Sequence, residues 1–165
     1  MVVLGIDPGL ANTGYGVVRG AGSRIEALAW GTITTPAGQP QEQRLLALHD
    51  GLVAVIAAHE IDGAALESFF VHPVSTTAMG MAAARGALLV ACAGAGLAVT
   101  EYTPNQIKQS VTGNGRADKQ QVRAMVTRLT KADADTDHAA DALAAAICHA
   151  SAGPLQAAIG VRRGR

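Results

Sequence analysis

The hydrophobic pattern of the chain begins with short extended runs. The apolar run at positions 2–6 ends at Asp7-Pro8-Gly9, which predicts a buried strand followed by a turn. Residues 14–20 and 24–34 alternate loosely between apolar and polar positions, and Ala21-Gly22-Ser23 separates them. Alternation of this kind predicts two further strands, joined to the first in an antiparallel meander. Three strands therefore open the predicted fold.

Helical spacing first appears near position 41. Leucine, valine and isoleucine recur there at steps of three and four residues as far as about position 58, behind Pro40, which predicts an amphipathic helix. Residues 61–67 return to the composition of a strand. Ser75 is predicted to cap a long helix that ends near Gly94.

The last third of the chain predicts one more strand and three helices. The strand covers residues 97–102, and Thr103-Pro104 supplies a capping residue followed by proline at the first helical position. Asp118 caps the next helix, and either Asp135 or Thr136 caps the last one, which is expected to run to about Ala150. The order βββαβαβααα predicts an α/β fold with a five-stranded mixed sheet flanked by helices.

Composition places these elements in one domain. The chain has 165 residues, of which 49% are hydrophobic and only 3% aromatic. A chain of this length removes roughly 70% of its unfolded surface from water. Alanine and glycine are abundant, so the core must bring backbones close together. We predict one compact domain at 1–152 and a basic, flexible tail at 153–165.

Charge and cysteine content narrow the class of protein. Net charge is zero, but acidic residues outnumber basic ones before position 100 and the reverse holds after it, which is compatible with a local polyanion-binding face. Cys92 and Cys148 lack metal-ligand spacing and are predicted to be buried thiols. The chain shows no secretory signal and no uncharged apolar run of roughly 18 residues, which predicts a cytoplasmic protein without a membrane span.

Four polar residues have the placement of a metal site. Asp7 and Glu67 end two strands that a right-handed crossover through one helix can make neighbours. His138 and Asp141 are three residues apart on one helix face. Three or four such ligands with water suit Mg²⁺ or Mn²⁺, and two ions about 4 Å apart stabilise both the attacking and the leaving oxygen of a phosphodiester.

Each of these residues also has a structural interpretation. Asp7 is suited to the turn before Pro-Gly, and Glu67 can be an exposed strand end. His138 can be an ordinary surface or core histidine, and Asp137, four residues before Asp141, can replace it at the metal. Asp133, Asp135 and Asp137 are otherwise typical of helix caps and first turns.

Several motifs together resemble one family. The chain is similar over nearly its whole length to the RuvC family of Holliday junction resolvases, with the motifs in the family's order and spacing. They are Leu4-Gly5-Ile6-Asp7-Pro8-Gly9, Thr13-Gly14-Tyr15-Gly16-Val17, Glu67-Ser68-Phe69-Phe70, Ala84-Arg85-Gly86, Gln106-Ile107-Lys108-Gln109-Ser110-Val111 and Ala139-Ala140-Asp141-Ala142-Leu143-Ala144.

The resemblance implies a ribonuclease H-like fold and a bacterial homodimer that resolves four-way DNA junctions by symmetric nicks in recombination and repair. It implies that Asp7, Glu67, His138 and Asp141 are the catalytic residues and bind the metals, Mg²⁺ or Mn²⁺ and two ions per site. His138 departs from the family's commonest pattern, Asp-Ala-Ala-Asp. Metal-assisted hydrolysis would leave 5′-phosphate and 3′-hydroxyl ends.

The resemblance also implies residues that bind DNA. Lys108 and Lys119 match lysines that contact DNA near the scissile phosphate, and Arg116 is a candidate for the same flexible segment. Phe70 resembles a loop aromatic that stacks on unpaired bases. On composition alone the two lysines are typical of a solvated helix surface. The family works with the branch-migration proteins RuvA and RuvB, which are therefore expected partners.

Other functions remain open at this point. An actin-like phosphotransferase would need a longer chain and a second phosphate loop. A related ribonuclease H-like nuclease could act on RNA or on other structured DNA. A non-catalytic junction-binding protein would lack a metal ligand, and His138 is the only irregularity in the set.

Overall fold

A computed structural model describes residues 1–22, 24–68 and 76–160, with residues 153–160 described as backbone only. Its centre is a five-stranded sheet with the strand order β3-β2-β1-β4-β5. The strands are β1 (Val2–Asp7), β2 (Asn12–Ala21), β3 (Arg24–Thr34), β4 (Gly63–Glu67) and β5 (Val99–Tyr102).

Five helices are described around this sheet. They are α1 (Gln41–Ala57), α2 (Thr76–Gly94), α3 (Pro104–Thr112), α4 (Lys119–Thr130) and α5 (Asp137–Gly160). Three predicted caps are confirmed, since Thr103 and Asp118 each form a capping box and the Thr136 hydroxyl accepts from the Ala139 N–H at 3.1 Å. Ser75 lies outside the described residues.

The sheet topology brings two predicted site residues to one edge. β1 pairs antiparallel with β2 and parallel with β4, with Ile6 opposite Leu66. The predicted α/β class, mixed sheet and helix order are therefore confirmed. Because the two parallel strands end side by side, Asp7 and Glu67 lie at the same sheet edge.

The element bounds differ from the predictions mainly at their ends. β4 and β5 begin two residues later than predicted, and α5 continues to Gly160 rather than ending near Ala150. The backbone of α5 continues through Gly153 and Pro154, where the flexible tail was expected to begin, so the glycine-proline pair did not mark the helix end. The predicted domain boundary at residue 152 thus falls within α5 and stays a prediction. Residues 161–165 lie outside the described part of the chain.

Two apolar layers cover the two faces of the sheet. Leu48 and Leu52 of α1 and Leu88 of α2 pack on one face, while Leu143 and Ile147 of α5 pack on the other with α3 and α4. Alternate residues of each strand therefore enter different layers. Both cysteines are buried and free, as predicted.

Helix α5 lies directly on the backbone of β1 and β2. A Cβ atom at Gly5 would overlap the carbonyl oxygen of Ala142, and one at Gly14 would overlap that of His138. Glycine at these positions permits a contact that any side chain would prevent. The close backbone approach expected from the composition occurs here.

Helix α2 leaves much of its apolar surface uncovered, and Met79 and Val90 are each 62% exposed. It has 19 residues and a mean hydropathy of 1.4, so by length and composition it could cross a membrane, although Arg85 within it means that it is not an uncharged apolar run. One such helix is weak support for a span, because core helices of soluble proteins share these properties. Its Arg85 forms an ion pair with Glu101 of β5.

Candidate active site

Three elements form a polar edge where β1 and β4 end. Asp7 closes β1, Glu67 closes β4, and His138 and Asp141 lie in the first turns of α5, which crosses this edge. We call these four residues, which the sequence predicts to be catalytic, the catalytic edge. The contact of α5 with Gly14 sets how near the helix comes to the strand ends.

Asp7 is in direct contact with His138. The Oδ2 atom of Asp7 lies 2.7 Å from Nδ1 of His138, so an imidazole that carries a proton on Nδ1 donates to the carboxylate. The turn after Asp7 is stabilised separately, because the Thr13 hydroxyl donates to the Gly9 carbonyl at 2.8 Å. Asp7 is therefore not used by its own turn, and its side chain faces the helix.

Glu67 and Asp141 face a shared cavity of about 250 Å³. Lys108 of α3 and Lys119 of α4 also line this cavity. The two lysines predicted to contact DNA thus lie beside the predicted metal ligands. Arg116 lines a different groove, of about 770 Å³, between α3 and the end of α5.

The loop that carries Arg116 was expected to be flexible and is instead a hydrogen-bonded turn. The Gln109 side chain donates to the Gly113 carbonyl and accepts from the Gly115 N–H, both at 2.9 Å. The Asn114 side chain accepts from the Arg116 N–H at 3.0 Å. Glycine and asparagine mark a turn, but the two bonds of the Gln109 side chain depend on the neighbouring helix α3.

Lys119 bridges two acidic residues of α5. Its Nζ atom lies 3.1 Å from Oδ2 of Asp141 and 3.3 Å from Oδ2 of Asp137. Burial lowers the pKa of Lys119, but the bonds to Asp141 and Asp137 outweigh it, so the pKa is raised and the ammonium is charged. A fixed positive charge therefore lies against the catalytic edge.

Carboxylates at this edge resist ionisation. Burial raises the pKa of Asp7, and the negative charge of Asp141 adds to the effect, although the hydrogen bond from His138 opposes it. Burial also raises the pKa of Glu67, and repulsion from Asp141 and Asp7 raises it further. Negative charges crowded in this way are stabilised by a bound cation.

The donor set fits a divalent cation, although it is not arranged as a closed metal cage. Among the side chains that the structure describes, no three from His, Cys, Asp and Glu come together closely enough to hold a metal ion. Asp7 is instead bonded to His138, and Asp141 to Lys119. The oxygen donors and the mutual repulsion of the carboxylates are nevertheless what a hard cation such as Mg²⁺ requires.

The remaining predictions have mixed outcomes. Phe70, the predicted base-stacking residue, lies outside the described residues. Asp137, the alternative to His138, faces Lys119 and Arg123, while His138 faces Asp7. The arrangement therefore favours His138 over Asp137 at the catalytic edge.

Sequence reasoning missed two contacts that fix the start of α5. Arg123 donates to the Ala134 carbonyl at 2.7 Å, and the hydroxyls of Thr32 and Thr136 are 2.8 Å apart. Arg123 lies in α4 and Ala134 lies in the loop before α5, so no local sequence pattern predicts their contact. The only sequence signal of a polar cluster at the start of α5 was the helical spacing of Asp137 and Asp141.

Sequence comparison identifies relatives along most of the chain. A family model described as "Crossover junction endodeoxyribonuclease RuvC" matches residues 3–149. The curated protein of that name from Parvibaculum lavamentivorans is 49% identical over 93% of this chain and 88% of its own length. Its namesake from Chloroflexus aggregans is 48% identical over 98% of this chain and 99% of its own length.

Solved structures agree with the sequence relatives. Thermus thermophilus RuvC is 34% identical, with a TM-score of 0.86 over 94% of this chain and 97% of that one. The same protein in complex with a Holliday junction substrate gives a TM-score of 0.88 at 33% identity, over 94% and 96% of the two chains. The yeast mitochondrial resolvase Ydc2, at 14% identity and a TM-score of 0.65, shares the fold.

Proposed function

The chain belongs to the RuvC family of crossover junction endodeoxyribonucleases, and on that premise we propose how its catalytic edge resolves a four-way DNA junction. It is a nuclease of the Holliday junction class, which acts in recombination and repair. The observation that carries the assignment of residues is the convergence of Asp7, Glu67, His138 and Asp141 at the joint ends of β1 and β4.

We propose that these four residues hold Mg²⁺ or Mn²⁺, with two ions per site. When bound, such ions activate water for attack on the phosphorus and stabilise the departing 3′ oxygen. Asp7 and Glu67 contribute hard oxygen donors from the rigid sheet. His138 keeps Nε2 for the cation, because its bond to Asp7 uses Nδ1, and a carboxylate on one ring nitrogen orients the other nitrogen toward a metal.

The lysines of the same cavity are proposed to bind the DNA backbone. Lys108 and Lys119 line the cavity with Glu67 and Asp141, so a phosphate that reaches the acids also meets two ammonium groups. Arg116 lies on a neighbouring groove and is proposed to contact a more distant phosphate. Phe70 stays a proposed stacking residue on the basis of the family resemblance.

We infer that the active protein is a homodimer. Paired nicks need two catalytic edges, and this chain carries one. The outward face of α2 offers a surface for a second copy, because Met79 and Val90 are each 62% exposed and lie on one side of the helix. We call this face the α2 stripe, and it consists of Met79, Ala82, Gly86, Val90 and Ala93.

Two further proposals follow from family membership. The protein works in the bacterial cytoplasm, where its DNA substrate is found. It also acts together with the branch-migration proteins RuvA and RuvB, which move the junction to sites where it is cut.

The assignment is tested by Asp7→Asn, which keeps the shape of the side chain but removes its negative charge. We expect the variant to bind a four-way junction with a dissociation constant within about twofold of wild type and to lose nicking by at least 10³-fold. Gel shift and cleavage of a labelled mobile junction in Mg²⁺ measure the two quantities. Equal loss of binding and nicking would contradict the assignment.

Two controls accompany this test. Asp50→Asn makes the same change on the exposed part of α1 and is expected to leave nicking unchanged. Linear duplex and RNA/DNA hybrid are tested beside the junction, since preferred cleavage of either would favour a different ribonuclease H-like nuclease.

A further inference from the structure

Two positively charged side chains contact the carboxylate of Asp137, one at each oxygen. Oδ1 accepts from Nη1 of Arg123 at 3.2 Å, and Oδ2 lies 3.3 Å from Nζ of Lys119. The next residue, His138, faces Asp7 instead. Asp137 therefore belongs to a chain of charges that runs beside the catalytic edge rather than within it.

Arg123 fixes the orientation of that carboxylate. Its Nη2 atom donates to the carbonyl of Ala134 at 2.7 Å, while Nη1 bonds Asp137. One planar guanidinium thus joins α4 to the backbone just before α5 and to the first residue of α5. The side chain of Asp137 is consequently held in place although it is 55% exposed.

Lys119 needs a second partner if Asp141 is to bind a cation. Its Nζ atom contacts both Asp141 and Asp137, with Nζ–Oδ2 distances of 3.1 and 3.3 Å. A carboxylate that ligates a divalent cation has less negative charge to offer to an ammonium. Lys119 would then be released to solvent, where its long side chain has many rotamers, unless another acid retained it.

We propose that Asp137 is a positioning residue, which keeps the Lys119 ammonium beside the reacting phosphate when Asp141 is bound to a cation. It is not itself a ligand of that cation. The inference rests on the proposed roles of Lys119 and Asp141, and it assigns Asp137 a function that acts entirely through Lys119.

A double-mutant cycle tests this dependence. Asp137→Asn should lower the single-turnover nicking rate constant about 10-fold while the dissociation constant for the junction stays within about twofold. In a Lys119→Met background the same substitution should cost nothing further, because the group it positions is absent. Asp133→Asn, an exposed acid in the preceding loop, is the matched control and should not change the rate.

Two measurements other than activity complete the test. Mn²⁺ affinity, measured by titration calorimetry without DNA, should be the same within about twofold for wild type and Asp137→Asn, whereas loss of a metal ligand would weaken it far more. The rate of reductive methylation of Lys119 in Mg²⁺, measured by mass spectrometry, should rise in Asp137→Asn and not in Asp133→Asn. This second measurement decides the question if Lys119→Met leaves too little cleavage for the cycle.

The outcomes separate this inference from the proposed function. A loss that persists fully in the Lys119→Met background would overturn it and indicate a structural role for Asp137 at the start of α5. A large fall in Mn²⁺ affinity would make Asp137 a ligand. Wild-type protein that fails to nick junctions would refute the proposed function, whereas nicking by Asp137→Asn at the wild-type rate would refute only the role of Asp137.

Discussion

Glu67 illustrates how a residue proposed to bind a metal can reduce the stability of its own fold. Burial and the nearby charges of Asp141 and Asp7 raise its pKa above 4.5. The folded state therefore binds a proton more readily than the unfolded chain does. Its contribution to stability is greatest below the unfolded pKa and falls as pH rises through the raised folded pKa. At neutral pH the ionised carboxylate lowers the free energy of unfolding, and a bound cation would offset this loss.

We accordingly expect Glu67→Gln to be more stable than wild type at pH 7 in EDTA. Solvent screens a partly exposed carboxyl, so the rise in Tm should be on the order of 2 °C, the response of a domain of this size to roughly 0.5–1 kcal/mol. The gain should vanish near pH 4, where Glu67 is protonated in both states. Scanning calorimetry between about pH 4 and 8 measures it.

Two comparisons make this result specific. Glu60→Gln, at an exposed position, should leave Tm unchanged. Addition of Mg²⁺ should raise the Tm of wild type and raise that of Glu67→Gln less. A Glu67→Gln variant that is less stable than wild type at pH 7 would show that its charge is not opposed by its neighbours.

At the scale of elements, the sequence predicted what depends on local pattern. An apolar run identified β1 and alternation identified β2 and β3. The caps Thr103 and Asp118 identified the starts of α3 and α4, because each cap bonds within its own turn. The order of the strands placed Asp7 beside Glu67. The crossing of α5 over Gly14 could not be predicted, since it joins residues more than a hundred positions apart.

That crossing predicts that Gly14→Ala damages the active site without changing any proposed ligand. Its Cβ would overlap the His138 carbonyl, so the start of α5 must move away from Asp7. We expect a destabilisation of about 1–3 kcal/mol, as for other overpacked sites, and at least a 10-fold loss of nicking. Urea unfolding and junction cleavage measure the two effects.

Gly38→Ala provides the control for that substitution. Nothing lies within 4 Å of a Cβ at Gly38, in the loop before α1, so both stability and nicking should stay near wild type. Normal nicking by Gly14→Ala would mean that α5 tolerates displacement, and the glycine contact would then not set the geometry of the site.

For the whole molecule, the proposed dimer gives the exposed apolar face of α2 a purpose. The opposite face of this helix buries Ala84, Leu88 and Ala91 against α1 and the sheet. The α2 stripe stays uncovered, and a second copy would remove its apolar surface from water. The sequence predicted the helix but not which of its faces is covered, because outward and inward faces cannot be told apart when both are apolar.

Val90→Glu is expected to produce a monomer, because a carboxylate at the centre of an apolar contact is costly to bury. Light scattering after size-exclusion chromatography measures the mass. The variant should fold normally and lose paired nicks. Val53→Glu changes an exposed valine of α1, 40% exposed and outside the stripe, and should stay dimeric. A dimeric Val90→Glu protein would place the interface elsewhere.

The glycine contact between α5 and the sheet also has a consequence for protein engineering. The separation between the two acids of the strands and His138 and Asp141 of the helix is set there by the thickness of two bare backbones. Transplanting Asp7, Glu67, His138 and Asp141 into another scaffold would therefore reproduce the proposed ligands without their spacing. A designer would have to copy Gly5 and Gly14 as well, two residues that perform no chemistry and contribute no side chain.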